Sequence, residues 1–412
     1  MSAESPPSAA CLARPAWSGL LVVAAVLVTV EMAVSARYGY HRDELYFLAA
    51  SKHLAWGYVD QPPLTVALAG LAQRVFGDRL IGLRLLPALA VGVAVVLAGL
   101  IARELAGAAA SRAAQILAAA CVAGSGVTIA IGHLHSTTTF DLVFWTALLL
   151  TLVRLLRTGD ARLWFVVGVL AGVGLLNKAT VLQLATVCLV GLLTDRRGRT
   201  LLATPHFAAA MVIAGAIASP YLAWQAGHGW PQLEIFADLR RDDGGLGAGL
   251  AFIPLQALMT NPFLTPVWLL GLLWLLRSPE GRRWRPVAVG YLLLLAFYLV
   301  VGGKPYYAFG FYPVLFAAAA VRLATRGGVR GRPLRLRRAL PAVGLVAVIP
   351  LPAAERTEAV VVTGNYGEAG ALERFATVDT ATRTFSGHNS LWFFDRPARD
   401  DTTAIAVGYS QS

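Results

Sequence analysis

Long apolar windows separated by short runs of arginine are the feature that most constrains this chain. A helix needs about 20 mainly apolar residues to cross the hydrocarbon core of a membrane. Apolar windows lie at 17–36, 81–102, 113–131, 139–157, 163–177, 179–194, 205–224, 264–277, 286–302, 307–325 and 339–353. Only 14% of the 412 residues are charged, against about 25% in soluble domains. The sequence therefore predicts an all-α polytopic membrane protein with about 11 transmembrane helices, and it excludes a soluble enzyme, a coiled coil and a disordered chain.

The arginines between the windows predict the orientation in the membrane. If the 11 windows alternate in direction, every run falls on one side, as in 103–112, 154–162, 196–199, 277–285 and 326–338. Short loops rich in Lys and Arg stay in the cytoplasm. We expect a multi-pass protein of the cell membrane, with a cytoplasmic amino terminus and an extracytoplasmic carboxyl terminus. The basic residues behind the net charge of +12 then set the orientation of the chain in the lipid membrane. They do not indicate a nucleic-acid partner.

Composition divides the chain into two predicted domains. Residues 1–353 form the transmembrane part, and its outer segment 37–80 should hold two amphipathic helices lying on the membrane surface. The segment 225–262 should be an outer loop. The tail, 354–412, predicts a small extracytoplasmic α/β domain, with strands at Val360–Val362, Ser390–Phe394 and Thr403–Val407 and a helix at Glu368–Phe375. Its one short Gly-x-x-Gly turn indicates a turn more than a nucleotide site.

The densest polar cluster follows the first window directly, in the residues Tyr40, His41, Arg42, Asp43, Glu44 and Tyr46. Neighbouring carboxylates flanked by Arg and His at a membrane surface suit general-base catalysis or cation binding. Acidic residues in the first turn of a helix also complement the helix dipole. Capping alone does not explain the adjacent His, Arg and Tyr, so the cluster is a candidate catalytic site.

A second polar group lies at the start of the fourth window. Asp141 opens an otherwise apolar helix, which is costly unless the carboxylate caps the helix or faces an aqueous cavity. His133 and His135 are candidate metal ligands, but two ligands without a third make a weak site. The sequence leaves open whether a divalent metal ion takes part. The cysteines Cys11, Cys121 and Cys188 show no paired metal-ligand spacing.

The three lysines of the chain, Lys52, Lys178 and Lys304, all fall on the predicted outer side or its boundary. This placement opposes the topological rule and favours a functional role, although an interfacial lysine also extends along the membrane surface for no catalytic reason. Lys304 precedes Tyr306 and Tyr307, and a lysine between glycines and tyrosines can neutralise a phosphate. Tyrosines also belong to the aromatic belt of membrane proteins.

These motifs carry a resemblance. The run from His41 to Tyr46, followed by Gly57-Tyr58-Val59-Asp60-Gln61-Pro62-Pro63-Leu64, resembles the first outer loop of bacterial family 39 glycosyltransferases. That family belongs to the GT-C superfamily and is related to protein O-mannosyltransferases and the lipid A aminoarabinose transferase. The turns at Asp141, at Asn177-Lys178 and at Lys304 follow in the family's order. The short tail departs from the family pattern.

The resemblance implies a donor sugar on a polyprenyl phosphate, a hydroxyl acceptor and an active site facing away from the cytoplasm. It implies Asp43 as catalytic base with Glu44 as its neighbour, and Lys304 as a ligand of the donor phosphate. Candidate substrate-binding residues are His41, Arg42, Tyr46, Asp60, Gln61, Asp141, Lys178, Lys304, Tyr306 and Tyr307. A phosphate leaving group needs a cation more than a general acid, and a single displacement would invert the anomeric carbon.

Two other classes of protein remain open at this stage. Charges within the membrane would suit a polyprenyl-lipid or solute transporter, but transporters usually show related halves with a site at the midplane. The sequence shows no internal repeat, and its polar residues gather on one face. A structural protein whose outer loops only bind partners would not need the Asp43 cluster.

Overall fold

The computed structural model describes residues 12–37, 39–107, 111–242 and 246–326, together with three short strands in the tail. These ranges are almost entirely helical. The helices are α1 (Trp17–Val34), α2 (Arg42–Ala50), α3 (Leu64–Phe76), α4 (Leu80–Ala106), α5 (Arg112–Ala123), α6 (Gly126–Gly132), α7 (Thr137–Thr158), α8 (Leu163–Leu175), α9 (Thr180–Leu193), α10 (Arg196–Leu202), α11 (Pro205–Gly227), α12 (Pro231–Asp242), α13 (Leu246–Thr260), α14 (Thr265–Arg277), α15 (Arg285–Val301) and α16 (Tyr312–Arg326). Short 3₁₀ segments occupy Pro262–Leu264, Arg282–Trp284 and Pro305–Phe311.

The described residues contain six helices that are long and apolar enough to cross a membrane, or up to eight if each bent pair forms one span. The bent pairs are α5 with α6, at 64°, and α13 with α14, at 96°. The multi-pass helical architecture is thus confirmed, at a coarser level than the predicted 11 helices. Helices α8 and α9 follow predicted windows but have only 13 and 14 residues. The window 339–353 lies outside the described residues.

Two predictions about the outer side are wrong. The segment 225–262 is not a loop, because it holds the end of α11 and all of α12 and α13. Helix α2 does not lie on the membrane surface, since Glu44 to Ala50 are all buried. Its Phe47 and Leu48 pack in a small core with Tyr58 and with Val66 of α3 and Leu83 of α4. The run from Leu45 to Ala50 is apolar on every side, which makes this part of α2 internal.

The core lies along α4, α7 and α16, and the site lies at one end of it. Seven consecutive residues of α16, from Val314 to Ala320, are fully buried. Two of the arginine runs meet at the other end, where Arg157 Nε lies 2.5 Å from Glu104 Oε2 and Arg197 donates to the Arg157 carbonyl at 3.3 Å. Arg84 and Glu104 both belong to α4, so at a rise of about 1.5 Å per residue they lie about 30 Å apart.

The described strands of the tail form a parallel sheet in the order β2-β1-β3. They are β1 (Val360–Thr363), β2 (Thr384–Ser386) and β3 (Ala404–Val407), and Val361 pairs with both Thr384 and Ile405. Strands β1 and β3 coincide with two predicted strands, whereas β2 was not predicted. The predicted helix Glu368–Phe375 and strand Ser390–Phe394 lie outside the described residues. The division into two domains stays a prediction.

Candidate active site

A capping box fixes the start of α2. The imidazole Nδ1 of His41 accepts a hydrogen bond from the Asp43 amide at 3.2 Å, and Glu44 Oε2 accepts one from the His41 amide at 2.9 Å. This reciprocal pairing satisfies two amides that the first turn leaves without helical partners. Asp43 and Glu44 then occupy successive positions of that turn, so their side chains point about 100° apart.

Glu44 points into the protein. Its oxygens Oε1 and Oε2 accept from Arg84 Nε at 2.9 Å and Arg84 Nη2 at 2.8 Å, and both side chains are at most 1% exposed. The amide of His135 also donates to Oε1, at 3.3 Å. Glu44 is absent from the wall of the cavity described below. Glu44 was predicted to lie beside Asp43 in the catalytic site, and the structure places it elsewhere. Its carboxylate is taken up by a buried bidentate ion pair with Arg84.

Asp43 points the other way and remains accessible. Its side chain is 33% exposed, with Arg42 Nε 3.6 Å from Oδ1 and His41 Nδ1 3.8 Å from Oδ2. Asp43 lines a cavity of about 680 Å³, whereas His41 and Arg42 are exposed beside the cavity and outside its wall. The structure therefore separates the two adjacent carboxylates into one buried group and one group that faces open space.

The cavity brings together residues that are far apart in the sequence. Its wall includes parts of α2, α7, α9, α12 and α15, the 60–62 turn, and the 3₁₀ segment at Pro305–Phe311. Seven of the predicted site residues line it: Asp43, Tyr46, Asp60, Gln61, Lys178, Tyr306 and Tyr307. Gln183, Gln232 and Tyr298 also line it, and the sequence analysis did not find them. A pocket of this size is typical of a small-molecule site.

The turn that carries Asp60 is held from two sides. Tyr46 donates to Asp60 Oδ1 at 2.5 Å, and Gln232 Nε2 donates to the Asp60 carbonyl at 3.3 Å. Gln225 Nε2 donates to the Tyr58 carbonyl at 3.0 Å. A Cβ atom at Gly57 would lie 2.6 Å from a ring carbon of Trp224, so only glycine allows this approach to α11. The segment 225–262 thus helps to build the site.

Lys178 lies in the turn between α8 and α9, half-buried at the cavity wall. Its Nζ atom donates to Thr138 Oγ1 at 2.9 Å and lies 5.4 and 5.3 Å from the ring centroids of Tyr306 and Tyr307. Burial lowers the pKa of Lys178, and the nearby charge of Lys304 lowers it further, while Asp141 acts in the opposite direction. The amine therefore lies between aromatic faces and a buried carboxylate.

Neighbouring groups hold this lysine turn in place. Asn177 Oδ1 accepts from Thr65 Oγ1 at 2.7 Å, and Asn177 Nδ2 donates to the Thr137 carbonyl at 2.9 Å. Asp141 is buried in α7 and outside the cavity wall, and its Oδ2 accepts from Thr180 Oγ1 at 2.7 Å. Asp141 therefore stabilises the lysine turn from behind and does not face the cavity directly.

Lys304 follows a sharp turn at the end of α15. Gly302 has φ +77°, a backbone conformation that favours glycine, and Gly302 and Gly303 both line the cavity. Gln256 Nε2 fixes the next residue by donating to the Pro305 carbonyl at 2.7 Å. Lys304 is half-buried and outside the cavity wall. Its charge nevertheless acts on Lys178, so one lysine lines the cavity and a second lies near it outside the wall.

The two predicted metal ligands have other partners. His133 Nδ1 lies 3.2 Å from Glu31 Oε2, and its Nε2 lies 3.2 Å from Arg84 Nη1. His135 Nε2 lies 3.0 Å from the Thr65 carbonyl, and burial lowers the pKa of its imidazole. Within the described ranges, no group of three His, Cys, Asp or Glu side chains could hold a metal ion. Both imidazoles therefore belong to the packing around α2.

The sequence analysis did not single out Glu31 and Arg84. Both lie inside apolar windows, Glu31 in α1 and Arg84 in α4, and both are at most 2% exposed. A charged residue within a predicted span is costly and rare unless it finds a partner inside the protein. This cost could have identified Glu31 and Arg84 from the sequence. The structure shows their partners, which are His133 for Glu31 and Glu44 for Arg84.

The chain is similar in sequence and in fold to known membrane proteins. Residues 60–224 match the family model described as dolichyl-phosphate-mannose-protein mannosyltransferase. The structure of ArnT from Cupriavidus metallidurans bound to undecaprenyl phosphate aligns with a TM-score of 0.61 and 19% identity, covering 76% of this chain and 60% of that one. No curated protein matches the chain.

Archaeal structures align as well. The Archaeoglobus fulgidus oligosaccharyltransferase tethered to an acceptor peptide gives a TM-score of 0.55 at 13% identity, covering 87% of this chain and 62% of that one. The AglB protein of the same organism, in complex with an inhibitory peptide and a dolichol-phosphate, gives 0.50 at 14% identity, with coverage of 87% and 63%. The chain thus spans about 60% of the length of ArnT. These likenesses show that the chain shares its fold with ArnT and with the archaeal oligosaccharyltransferase. Together with the family model, they agree with the resemblance stated from the motifs.

Proposed function

We propose that this protein is a membrane glycosyltransferase that moves a sugar from a polyprenyl-phosphate donor to a hydroxyl acceptor, with inversion at the anomeric carbon. One observation carries the proposal. A single cavity of about 680 Å³ is lined both by the carboxylate of Asp43 and by the amine of Lys178. A carboxylate can activate the attacking hydroxyl, and a cation can stabilise the departing phosphate.

Asp43 is the proposed general base. Its carboxylate takes the proton of the acceptor hydroxyl as the oxygen attacks the anomeric carbon, and the bond from that carbon to the lipid phosphate breaks. Arg42 Nε lies 3.6 Å from one carboxylate oxygen and His41 Nδ1 lies 3.8 Å from the other, so the positive charge of Arg42 borders the proposed base. The base side of the cavity also contains the Tyr46–Asp60 pair, which we assign to binding the sugar or the acceptor.

Lys178 and Lys304 are the proposed groups for the donor phosphate. The phosphate leaves as a monoester anion, so a cation placed where the charge develops supplies the stabilisation that a general acid would give elsewhere. The rings of Tyr306 and Tyr307 flank the Lys178 amine, and they limit the positions that its flexible side chain can adopt. Asp141 behind the turn opposes the effect of burial on the pKa of Lys178.

The cavity would face the outer side of the cell membrane. The contacts of Arg157 and Arg197 form at the opposite end of the bundle, and short arginine-rich loops stay in the cytoplasm. The finer topology, with about 11 helices, an inside amino terminus and an extracytoplasmic α/β tail, belongs to this proposal. Membrane-impermeant reagents should label a cysteine at the exposed Asp78 in intact cells, and one at the exposed Asp160 only after permeabilisation. The reverse labelling pattern would show that the protein has the opposite orientation in the membrane.

Reconstitution of the purified protein in liposomes tests the activity. Wild-type protein should transfer a labelled sugar from a synthetic polyprenyl-phosphate donor to extracted cell-envelope acceptors, giving a new glycoside. Movement of the labelled lipid between leaflets without a new glycoside would instead identify a transporter. The envelope of a deletion strain should contain an acceptor that lacks one sugar, and mass spectrometry of that acceptor would identify both substrates.

A further inference from the structure

A buried chain of charged and polar groups connects α1 to the first turn of α2. Glu31 contacts His133, His133 contacts Arg84, and Arg84 binds Glu44. All four residues are buried. None of them lines the cavity, so the reaction proposed above leaves this chain without an assigned role.

Arg84 is the centre of the chain. Its Nη1 donates to the Ser35 carbonyl at 2.6 Å, and its Nη2 donates to the Gly39 carbonyl at 2.8 Å. Its Nε and Nη2 donate to the two carboxylate oxygens of Glu44, at 2.9 and 2.8 Å. One guanidinium therefore ties together the end of α1, the connecting segment and the first turn of α2. A lysine cannot reproduce this arrangement, because its ammonium lacks the planar fork.

The proton positions follow from these contacts. A guanidinium only donates, so His133 Nε2 must accept from Arg84 Nη1. His133 Nδ1 then carries the proton and donates to Glu31 Oε2. These two contacts define the tautomer of the imidazole. Glu31 and His133 thus hold the guanidinium from the side opposite Glu44.

Glu44 links this chain to the reaction site. Its Oε2 accepts both from Arg84 Nη2 and from the His41 amide that closes the capping box. The same carboxylate therefore fixes where α2 begins and how its first turn is attached. Asp43 is the adjacent residue on that turn, so its direction depends on the position of Glu44.

We propose that Arg84 is a positioning residue of the reaction, which orients the Asp43 carboxylate toward the cavity by fixing Glu44. The proposal rests on the proposed function, because it assigns Arg84 an effect on a step that Asp43 performs. A displacement of about 1 Å in a catalytic group can cost about 10²-fold in rate. Arg84 acts on turnover through Asp43 and makes no contact in the donor site.

The test is a double-mutant cycle in reconstituted protein. Arg84→Lys should lower kcat by about 10- to 100-fold and leave the donor KM within about twofold. In an Asp43→Asn background the same substitution should cost less than about threefold, because residues that act as a unit are not additive. If Arg84→Lys does not fold, Glu44→Gln replaces it in the same cycle, since it keeps the side-chain shape and removes the charge that binds Arg84.

Arg157→Lys is the matched control. It alters the Arg157–Glu104 pair at the far end of α4, so it should leave kcat unchanged in both backgrounds. Hydrogen exchange of the α2 amides should rise in Arg84→Lys and not in Arg157→Lys. The positioning role would be overturned if Arg84→Lys left kcat unchanged, or if its loss in kcat multiplied in full with that of Asp43→Asn. Either result leaves the proposed function intact, provided that the wild-type protein transfers the sugar. Absence of transfer by the wild-type protein would overturn the proposed function itself.

Discussion

Two clusters of charged side chains lie at the same end of the molecule, and they differ in exposure to the cavity. We call the buried group of Glu31, His133, Arg84 and Glu44 the closed cluster. Around Arg84, each charge is buried against a partner within hydrogen-bond distance. Around Lys178, the amine lies between Thr138, two tyrosine rings and the open cavity. The first arrangement is buried away from the cavity, whereas the second borders it and can accept an anion. The comparison separates charges that build the fold from charges that face a substrate.

The same contrast divides two neighbouring residues. Glu44 belongs to the closed cluster, and Asp43 faces the cavity. Substitutions in the two clusters should therefore fail in different ways. A change at the cavity should reduce turnover or donor affinity while the protein stays folded. A change in the closed cluster should reduce stability first, because the remaining buried charge loses its partner.

The largest effect is expected for Asp43→Asn. The amide keeps the shape of the carboxylate but cannot accept the proton, and positioned base catalysis typically contributes about 10²- to 10⁴-fold. We expect kcat to fall by about that factor while donor binding and thermal stability stay near wild type. Glu44→Gln should lower the melting temperature in addition to its smaller effect on kcat, because it weakens the buried pair with Arg84. Full activity in Asp43→Asn, with loss in Asp141→Asn, would place the base on another carboxylate.

A smaller loss is expected for Lys178→Met. Removing one donor from an anion-stabilising site typically costs about 10²- to 10³-fold in kcat, and Lys304 should retain part of the stabilisation here. Single-turnover transfer with saturating donor would measure the effect. Lys52→Met is the control, because Lys52 is exposed and outside the cavity wall, and it should transfer normally. Equal losses in both variants would contradict the assignment.

Lys304→Met should act on donor binding more than on turnover. Lys304 lies outside the wall and adds charge to the phosphate side of the cavity. We expect the donor KM to rise by about tenfold, which corresponds to about 1.4 kcal/mol, while protein abundance stays unchanged. An unchanged KM would make Lys304 a surface anchor of the membrane interface.

The smallest change at neutral pH is expected for Lys178→Arg, which tests the charge of the amine. Burial lowers the pKa of Lys178, so the amine loses its proton at a lower pH than an exposed lysine. Activity should therefore fall as the pH rises through that pKa. An arginine stays protonated throughout this range, and the alkaline decline should shift to higher pH in the variant. An identical pH profile would show that another group causes the decline.

The sequence predicted the parts of the site that lie in short motifs. Asp43, Asp60 and Lys178 follow or precede apolar windows at one predicted side, and helices that alternate in direction bring such turns to the same end. Seven predicted residues accordingly line one cavity. Helix capping was the alternative interpretation of the Asp43–Glu44 pair, and the structure shows that Glu44 closes a capping box with His41.

The sequence did not predict contacts that depend on tertiary packing. Arg84 and Glu31 were absorbed into apolar windows, because an average over about 20 residues conceals one charge. The burial of α2 depends on α3 and α4, which local periodicity does not reveal. Helices α12 and α13 were missed because the segment 225–262 mixes glycines, charges and three prolines. Gln225 and Gln232 became recognisable only through their hydrogen bonds to the Asp60 turn.

Direct displacement within the cavity is the central claim, and the anomeric configuration of the product tests it most directly. A synthetic polyprenyl-phosphate donor of known configuration would be incubated with purified wild-type protein and an acceptor, and the glycoside examined by nuclear magnetic resonance. A single attack assisted by Asp43 predicts the inverted configuration, with Asp43→Asn forming the same product about 10²- to 10⁴-fold more slowly. A retained configuration would require two displacements through a covalent enzyme intermediate, and it would contradict this account.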